Sequence, residues 1–131
     1  MNMLRFEHLN LSCKNLDASQ EFYQKLFPDW YVRAEGVYEG RRWMHFGNNQ
    51  FYLALNHTPE AIRNHSIYEN IGINHVGIVI TNGDLMLEKF QAEKIDYYTY
   101  SSPETKHRIY VTDPDDNEIE LVEYQPDYVL K

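Results

Sequence analysis

The sequence lacks the features that define several large classes of protein. It has a single cysteine, Cys13, so no disulfide can form within the chain, and nothing points to an oxidising compartment. Its longest aliphatic stretch, Val76 to Ile80, is far shorter than the roughly 20 apolar residues that cross a bilayer. The opening MNMLRFEHLN has no apolar core of signal-peptide length. We therefore expect a cytoplasmic protein with no membrane partner.

Positive charge is also scarce. The 12 Lys and Arg residues stand against 20 Asp and Glu residues, which gives a formal net charge of −8. This balance repels the phosphates of nucleic acids and anionic lipid headgroups, so neither is an expected partner. The length of 131 residues predicts one domain, large enough for a single hydrophobic core.

Two segments of the chain follow the same plan. FEHLNLSCKNLDASQEFYQKLF reads as a strand and then a helix, and INHVGIVITNGDLMLEKFQAEKI repeats this order later. In the first helix Asp17 and Gln20 have the spacing of a capping box, and Pro28 ends the helix. In the second helix either Asn82 or Asp84 can provide the cap. Each helix should lie on a sheet.

Three strand-like stretches follow each helix. In the first half they are WYVRAE, RRWMHF and QFYLALN, and in the second half DYYTY, KHRIYVT and EIELVEY. The chain therefore contains two modules of the type strand-helix-strand-strand-strand (βαβββ). We expect a single domain over residues 1–131, with module 1 at about 1–57, a polar linker at about 58–71 and module 2 at about 72–126.

The strands share one pattern of alternating side chains. One face of each strand is apolar, and these faces are expected to receive the helices. The opposite faces gather polar side chains, which include His8, Asn10, Tyr52, His75, Arg108, Tyr110, Glu118 and Glu120. On a flat, solvated sheet such a face needs no function. If two such sheets curve towards each other, the same face lines a pocket.

Three stretches of the chain resemble motifs of one protein family. They are HLNLSCKNLDASQEFYQKLF, INHVGIVI and YVTDPDDNEIELVEY, the last with Asp116 where the family usually has glycine. Because Asp tolerates left-handed backbone better than most residues, we expect this turn to be kept. In this order, and over essentially the whole chain, the motifs resemble the vicinal oxygen chelate superfamily. It includes glyoxalase I, extradiol dioxygenases, fosfomycin-resistance enzymes and bleomycin-resistance proteins.

The resemblance implies both a fold and a metal site. The fold is of the α+β class, with two tandem βαβββ modules that form a curved, mostly antiparallel sheet cup with helices on the outside. The family's ligand positions, on the first and last strands of each module, correspond to His8, Tyr52, His75 and Glu120. His8, His75 and Glu120 are the predicted metal ligands, since two imidazoles and a carboxylate leave coordination positions open. The same set accepts iron, manganese, zinc, nickel or cobalt, so the metal is not identified.

The resemblance also implies roles for the other polar residues near the metal. Tyr110 stands where related enzymes carry an active-site tyrosine, and Tyr110 or Tyr52 would supply or accept a proton or a hydrogen bond. Arg108 and Asn10 are predicted substrate contacts, and an ion pair with Glu118 is the alternative for Arg108. Glu118 itself is interpreted as a solvated carboxylate at the rim.

The resemblance favours a metal-dependent enzyme, glyoxalase-like or dioxygenase-like, that acts on a small substrate with two oxygens able to chelate the metal. The alternative is a metal-free protein of the bleomycin-resistance type that binds a small molecule without chemistry. Relatives of this length commonly pair, so a homodimer is expected. The two modules can combine within one chain or across two chains, and the sequence does not choose.

Overall fold

The computed structural model describes residues 3–128, so residues 1–2 and 129–131 of the predicted domain lie outside the described residues. The elements follow the predicted order, a βαβββ module twice. They are β1 His8–Cys13, α1 Leu16–Leu26, β2 Tyr31–Tyr38, β3 Arg41–Gly47, β4 Tyr52–His57, β5 His75–Val79, α2 Gly83–Ala92, β6 Tyr98–Thr99, β7 Thr105–Thr112 and β8 Glu118–Tyr124. The chain divides into two compact units between Arg63 and Asn64, inside the stretch predicted as a linker. The α+β class and the tandem modules are confirmed.

Each unit contains one four-stranded sheet. The strand order is β1-β4-β3-β2 in the first unit and β5-β8-β7-β6 in the second. The first and last strands of each module pair in parallel, and the remaining neighbours pair antiparallel. Both sheets are therefore mostly antiparallel, as predicted. This topology places the first strand of each module, with its histidine, directly beside the last.

The alternation read from the sequence produces the two cores. Inward-facing Leu53 and Leu55 are fully buried in the first unit, as are Ile109, Ile119 and Leu121 in the second. Each helix contacts strands of its own sheet, α1 through β4 and α2 through β7 and β8, which confirms that the helices lie on sheets. No helix within residues 3–128 is long and apolar enough to span a membrane.

The start of α1 differs from the prediction. Asn15, not Asp17, is the N-cap residue, and its side-chain Oδ1 accepts a hydrogen bond from the Ala18 N–H at 3.1 Å. Asp17 lies in the first turn, where its carboxylate accepts two hydrogen bonds from the Arg42 guanidinium, at 3.0 and 3.2 Å. The prediction was wrong because both Asn and Asp cap well, and periodicity does not separate residues two positions apart.

The second helix begins at the equivalent place with different chemistry. Asn82 is the N-cap residue, and the first helical N–H, of Gly83, donates to the Glu123 carboxylate on β8 at 3.1 Å. A Cβ atom at Gly83 would lie 2.3 Å from the His107 ring, so only glycine fits there. Asp84, the second residue of α2, accepts from His107 Nε2 at 2.8 Å and pairs with Lys106 Nζ at 3.3 Å. It therefore ties the helix to β7, as Asp17 ties α1 to β3.

The turn before β8 depends on Asp113. Its carboxylate accepts from the Asp115 and Asn117 N–H groups and from the Asn117 side chain, each at 2.9 Å. Asp116 occupies the left-handed region with φ of 66°, so the turn is kept without glycine, as expected. This turn fixes where β8 begins and thereby the positions of Glu118 and Glu120.

Candidate functional site

The second unit brings His75 and Glu120 together. His75 opens β5 and Glu120 lies in β8, the parallel neighbour of β5. His75 Nε2 and Glu120 Oε2 are 3.0 Å apart, and the Glu120 side chain is largely buried. An imidazole and a carboxylate at this separation either share a proton or face a common cation.

Glu118 is not the rim carboxylate predicted from the sequence. Only 7% of its surface is exposed. Its Oε1 accepts from the Tyr68 hydroxyl at 2.6 Å and its Oε2 from the Tyr98 hydroxyl at 2.9 Å. Strand periodicity shows which face a side chain takes but not how deeply that face is covered, and two tyrosines cover this one.

Glu118 also lies near the second nitrogen of His75. The His75 Nδ1 atom is 3.7 Å from Glu118 Oε1 and 3.4 Å from the Tyr68 hydroxyl. The two ring nitrogens therefore face different groups, Nε2 towards Glu120 and Nδ1 towards Tyr68 and Glu118. This arrangement holds the ring with Nε2 towards the neighbouring strand.

The strand registers differ in one respect from the equivalences that the family resemblance implies. His8 pairs in register with Tyr52 in the first sheet, and His75 pairs with Glu118 in the second. The registered counterpart of Tyr52 is thus Glu118, whereas the resemblance placed Glu120 at the ligand position of module 2 that corresponds to Tyr52. Glu120 faces Gly77, two residues further along β5.

Arg108 is bound to the protein itself. Its Nε is 2.9 Å from Glu120 Oε1, and its Nη2 is 3.8 Å from Glu104 Oε1. The ion pair suggested as an alternative for Arg108 is present, but its partner is Glu120 and not Glu118. The two oxygens of Glu120 are therefore divided, with Oε1 towards Arg108 and Oε2 towards His75.

Tyr110 lies opposite Glu120 in the register of β7 and β8. Its ring stacks on Tyr98 with centroids 4.6 Å apart and planes inclined by 2°. Burial and, to a smaller extent, the hydrogen bond with Glu120 raise the pKa of Tyr110 to about 12. At neutral pH this phenol keeps its proton, so it is suited to donate a hydrogen bond or a proton and not to accept a proton as a base.

In the first unit His8 and Tyr52 lie together. Their rings stack at 4.9 Å, His8 Nδ1 lies 2.9 Å from Glu7 Oε1, and the Tyr52 hydroxyl donates to the same oxygen at 3.3 Å. Burial and, to a smaller extent, the negative charge of Glu7 raise the pKa of Tyr52, so its phenol stays neutral. Asn10, the predicted substrate contact, accepts from the Asn56 side chain at 2.6 Å.

A larger aromatic and cationic group surrounds Tyr52. The His45 ring is 4.6 Å from the Tyr52 ring, and the Arg33 guanidinium carbon lies 4.4 Å from the same ring centroid. Burial lowers the pKa of His45, and the positive charges of His8 and Arg33 lower it further. The neutral imidazole is therefore favoured at this position.

Comparison with known proteins identifies the family. The model of the glyoxalase/bleomycin resistance protein/dioxygenase superfamily matches residues 5–121, most of the chain. The chain belongs to this superfamily. The resemblance inferred from the sequence is confirmed.

Solved structures of superfamily members share the fold at low sequence identity. A glyoxylase/bleomycin resistance protein/dioxygenase domain from Frankia sp. EAN1pec is 15% identical, with 97% of this chain and 96% of that chain covered and a TM-score of 0.79. Lactoylglutathione lyase from Agrobacterium tumefaciens is 20% identical, with 91% and 92% covered and a TM-score of 0.63. A mutant of the fosfomycin resistance protein FosX from Listeria monocytogenes, complexed with Mn(II) and 1S,2S-dihydroxypropylphosphonic acid, is 16% identical, with 92% and 93% covered and a TM-score of 0.70.

Two donor atoms of the second unit are spaced as neighbouring ligands of one metal ion would be. Metal–ligand bonds of about 2.1 Å at right angles place neighbouring donors about 3 Å apart. The 3.0 Å between His75 Nε2 and Glu120 Oε2 matches this spacing. Within residues 3–128, no group of three or more His, Cys, Asp or Glu side chains is arranged to hold a metal ion. The second unit therefore offers two donor atoms at the spacing of neighbouring metal ligands.

Sequence reasoning missed Tyr68 and Tyr98. Tyr98 stands opposite Tyr110 in the register of β6 and β7, so strand pairing could have placed both on one face. Tyr68 belongs to the aperiodic stretch between the modules and takes a left-handed backbone with φ of 65°. No periodic signal predicts that such a residue reaches Glu118.

Proposed function

We propose that the protein is a metal-dependent enzyme of this superfamily, glyoxalase-like or dioxygenase-like, with a small substrate that chelates the metal through oxygens. The observation that carries the proposal is the close approach of His75 Nε2 and Glu120 Oε2, at 3.0 Å, on adjacent parallel strands. We assign these two residues and His8 as the metal ligands. The assignment of His8 rests on the sequence motif alone.

A divalent ion held there would act as a Lewis acid and stabilise negative charge that develops on a substrate oxygen. Arg108 keeps Glu120 in place through its ion pair at 2.9 Å and offsets part of the carboxylate's charge. Tyr110, protonated at neutral pH, donates a hydrogen bond or a proton towards the site. Tyr52 stays a neutral phenol and provides a ring surface beside His8.

The chemistry of the ligands leaves iron, manganese, zinc, nickel and cobalt open. Support for manganese comes from the FosX complex, which contains Mn(II) and a phosphonic acid with two hydroxyl groups. We infer a substrate of comparable character, a small molecule with vicinal oxygens.

The proposal is tested by metal analysis of protein purified without added metal or chelator, followed by titration of stripped protein with Mn(II). One bound ion per chain is the expected result, with affinity lost in His75→Ala. Protein that purifies without metal and binds none of the five ions would contradict the proposal.

A second candidate is a metal-free protein that binds a small molecule. It is favoured by the lack of a three-residue ligand group within residues 3–128. Chelation distinguishes the two functions, since a metal-free binder keeps its full affinity for a small molecule in chelator, whereas the proposed enzyme loses the part of its substrate affinity that the bound metal supplies.

We also propose that the protein is a homodimer in the cytoplasm. The support is the sequence resemblance to relatives that pair. Sedimentation at micromolar concentration should give the mass of two chains, and a monomer under these conditions would contradict the proposal.

A further inference from the structure

Arg33 occupies an irregular position in β2. Val32 pairs in register with Phe46, and Ala34 pairs with His45. His45 and Phe46 are consecutive in β3, but Arg33 stands between Val32 and Ala34 in β2 and has no partner in β3. Arg33 is therefore the extra residue of a β-bulge. Bulges turn a side chain away from its regular direction and are frequent beside functional sites.

The bulge directs Arg33 towards Tyr52. The two residues belong to strands that are not neighbours, because β3 lies between β2 and β4. The guanidinium carbon lies 4.4 Å from the Tyr52 ring centroid, and the same ring stacks on His8 at 4.9 Å. Arg33 thus contacts the ring that stacks on His8, the residue of this unit that we assign to the metal.

A guanidinium that stacks on a ring uses its face and leaves the N–H groups at its edge available. Within residues 3–128, no carboxylate lies within ion-pair distance of Arg33. Arg108 and Arg42, by contrast, are engaged by Glu120 and Asp17 at 2.9 and 3.0 Å. Arg33 has free donors in the fork geometry that suits carboxylate and phosphate groups.

We propose that Arg33 binds the anionic group, a carboxylate or phosphate, of the substrate. This assigns to Arg33 the role that the sequence suggested for Arg108. The identification of the ligand as the substrate rests on the proposed function, but anion binding itself does not require the metal. The substrate is then a small anion whose charged group contacts Arg33.

The test is a titration with benzoate of protein that has been stripped of metal and then freed of chelator, with benzyl alcohol as the uncharged counterpart of benzoate. Binding is followed by the NMR signals of the Arg33 Nε–H and the Tyr52 ring. We expect benzoate to shift both signals and benzyl alcohol to bind more weakly. Arg33→Gln should weaken benzoate binding by about tenfold or more, because a charge-assisted pair is lost.

Arg41→Gln is the matched control, since Arg41 is an exposed arginine on the adjacent strand β3. It should bind benzoate as the parent does. Arg33→Lys keeps the charge but not the fork, so its affinity should lie between those of the parent and Arg33→Gln. This variant covers the case in which Gln disturbs the bulge.

The proposal is overturned if Arg33→Gln binds benzoate as tightly as the parent, if Arg41→Gln loses as much, or if benzyl alcohol binds equally well. A Mn(II) titration of the same variants separates this result from the proposed function. Arg33→Gln should bind Mn(II) as the parent does. If the parent binds no metal but binds anions in a way that depends on Arg33, the proposed enzyme is refuted and the anion site stands.

Discussion

The two modules share a scaffold and differ on their polar faces. Both tie the helix to the third strand through the second helical residue, Asp17 to Arg42 in one and Asp84 to Lys106 and His107 in the other. However, the residue that pairs in register with the histidine of the first strand is Tyr52 in module 1 and Glu118 in module 2. Scaffold contacts are thus equivalent, while the site chemistry has diverged.

The divergence separates two kinds of binding surface. The polar face of module 2 carries two buried carboxylates, Glu118 and Glu120, and so favours a cation. The polar face of module 1 carries stacked rings around Tyr52 and the guanidinium of Arg33. Repetition of a fold therefore does not imply repetition of a site, and each module has to be tested by its own substitutions.

The largest effect is expected from Glu120→Gln. This change removes a negative charge that we assign to the metal, so Mn(II) affinity should fall by more than the roughly 10–100-fold typical of residues that only support a ligand. The measurement is the signal of free Mn(II) by electron paramagnetic resonance at increasing protein concentration. Equal affinity of the variant and the parent would remove Glu120 from the ligand set.

Glu118→Gln should lower both stability and metal affinity. A solvated carboxylate at the rim, as Glu118 was interpreted from the sequence, would tolerate this change. The Glu118 carboxylate instead accepts hydrogen bonds from two tyrosines, and an amide nitrogen cannot accept one. A buried group left unsatisfied costs about 1–3 kcal/mol, which a denaturant titration will detect. Tyr52→Phe, at the registered position of module 1, should cost less, and an equal loss in both variants would contradict the asymmetry between the modules.

Tyr68→Phe tests whether His75 is held in orientation. Loss of the hydroxyl removes the group 3.4 Å from His75 Nδ1 and one of the hydrogen bonds to Glu118. Mn(II) affinity should fall by roughly 10–100-fold, as for other partners of a metal-ligating histidine. Tyr100→Phe is the matched control, since Tyr100 is exposed, and a similar loss in this control would argue against a specific role of Tyr68.

The smallest effects are expected from the ion pairs of Asp17 and Asp84, which join each helix to its sheet. Hydrogen bonding to Arg42 lowers the pKa of Asp17 below its ordinary 3.8, and hydrogen bonding to His107 and then Lys106 lowers that of Asp84. Because the pKa of each aspartate is lower in the folded than in the unfolded protein, each ion pair stabilises the protein fully above about pH 3.8. This stabilisation is lost as the pH falls through the pKa of the folded protein.

Asp17→Asn and Asp84→Asn should therefore lower the melting temperature slightly at neutral pH and not at all in strong acid. Thermal melts at several pH values provide the measurement. Asp96→Asn, an exposed aspartate without such a tie, is the control. A difference from the parent that persists in strong acid would show that packing, and not charge, explains it.

The sequence predicted the strands and their faces because periodicity reports directly on which side chains are covered. It predicted His75 and Glu120 as neighbours through a motif, and the structure places their side chains in contact. It did not predict the burial of Glu118, which depends on Tyr68, a residue far away in sequence and in a segment without periodicity. The partner of Arg108 was missed for a related reason, since Glu118 and Glu120 share a strand face and only the register separates them.

The contact of Tyr68 with Glu118 has a consequence for any attempt to cut the chain into fragments. The stretch before β5 is part of the second unit. Tyr68 joins it to Glu118 on β8, and a hydrogen bond between His65 and the carbonyl of Ile73 closes the stretch on itself. A fragment that begins at the first residue of β5 would remove the Tyr68 hydroxyl from Glu118 Oε1 and leave only the Tyr98 hydroxyl, on Oε2. Expression of the second half alone, circular permutation or complementation from two separate genes should therefore place the new terminus before His65, near the division between Arg63 and Asn64.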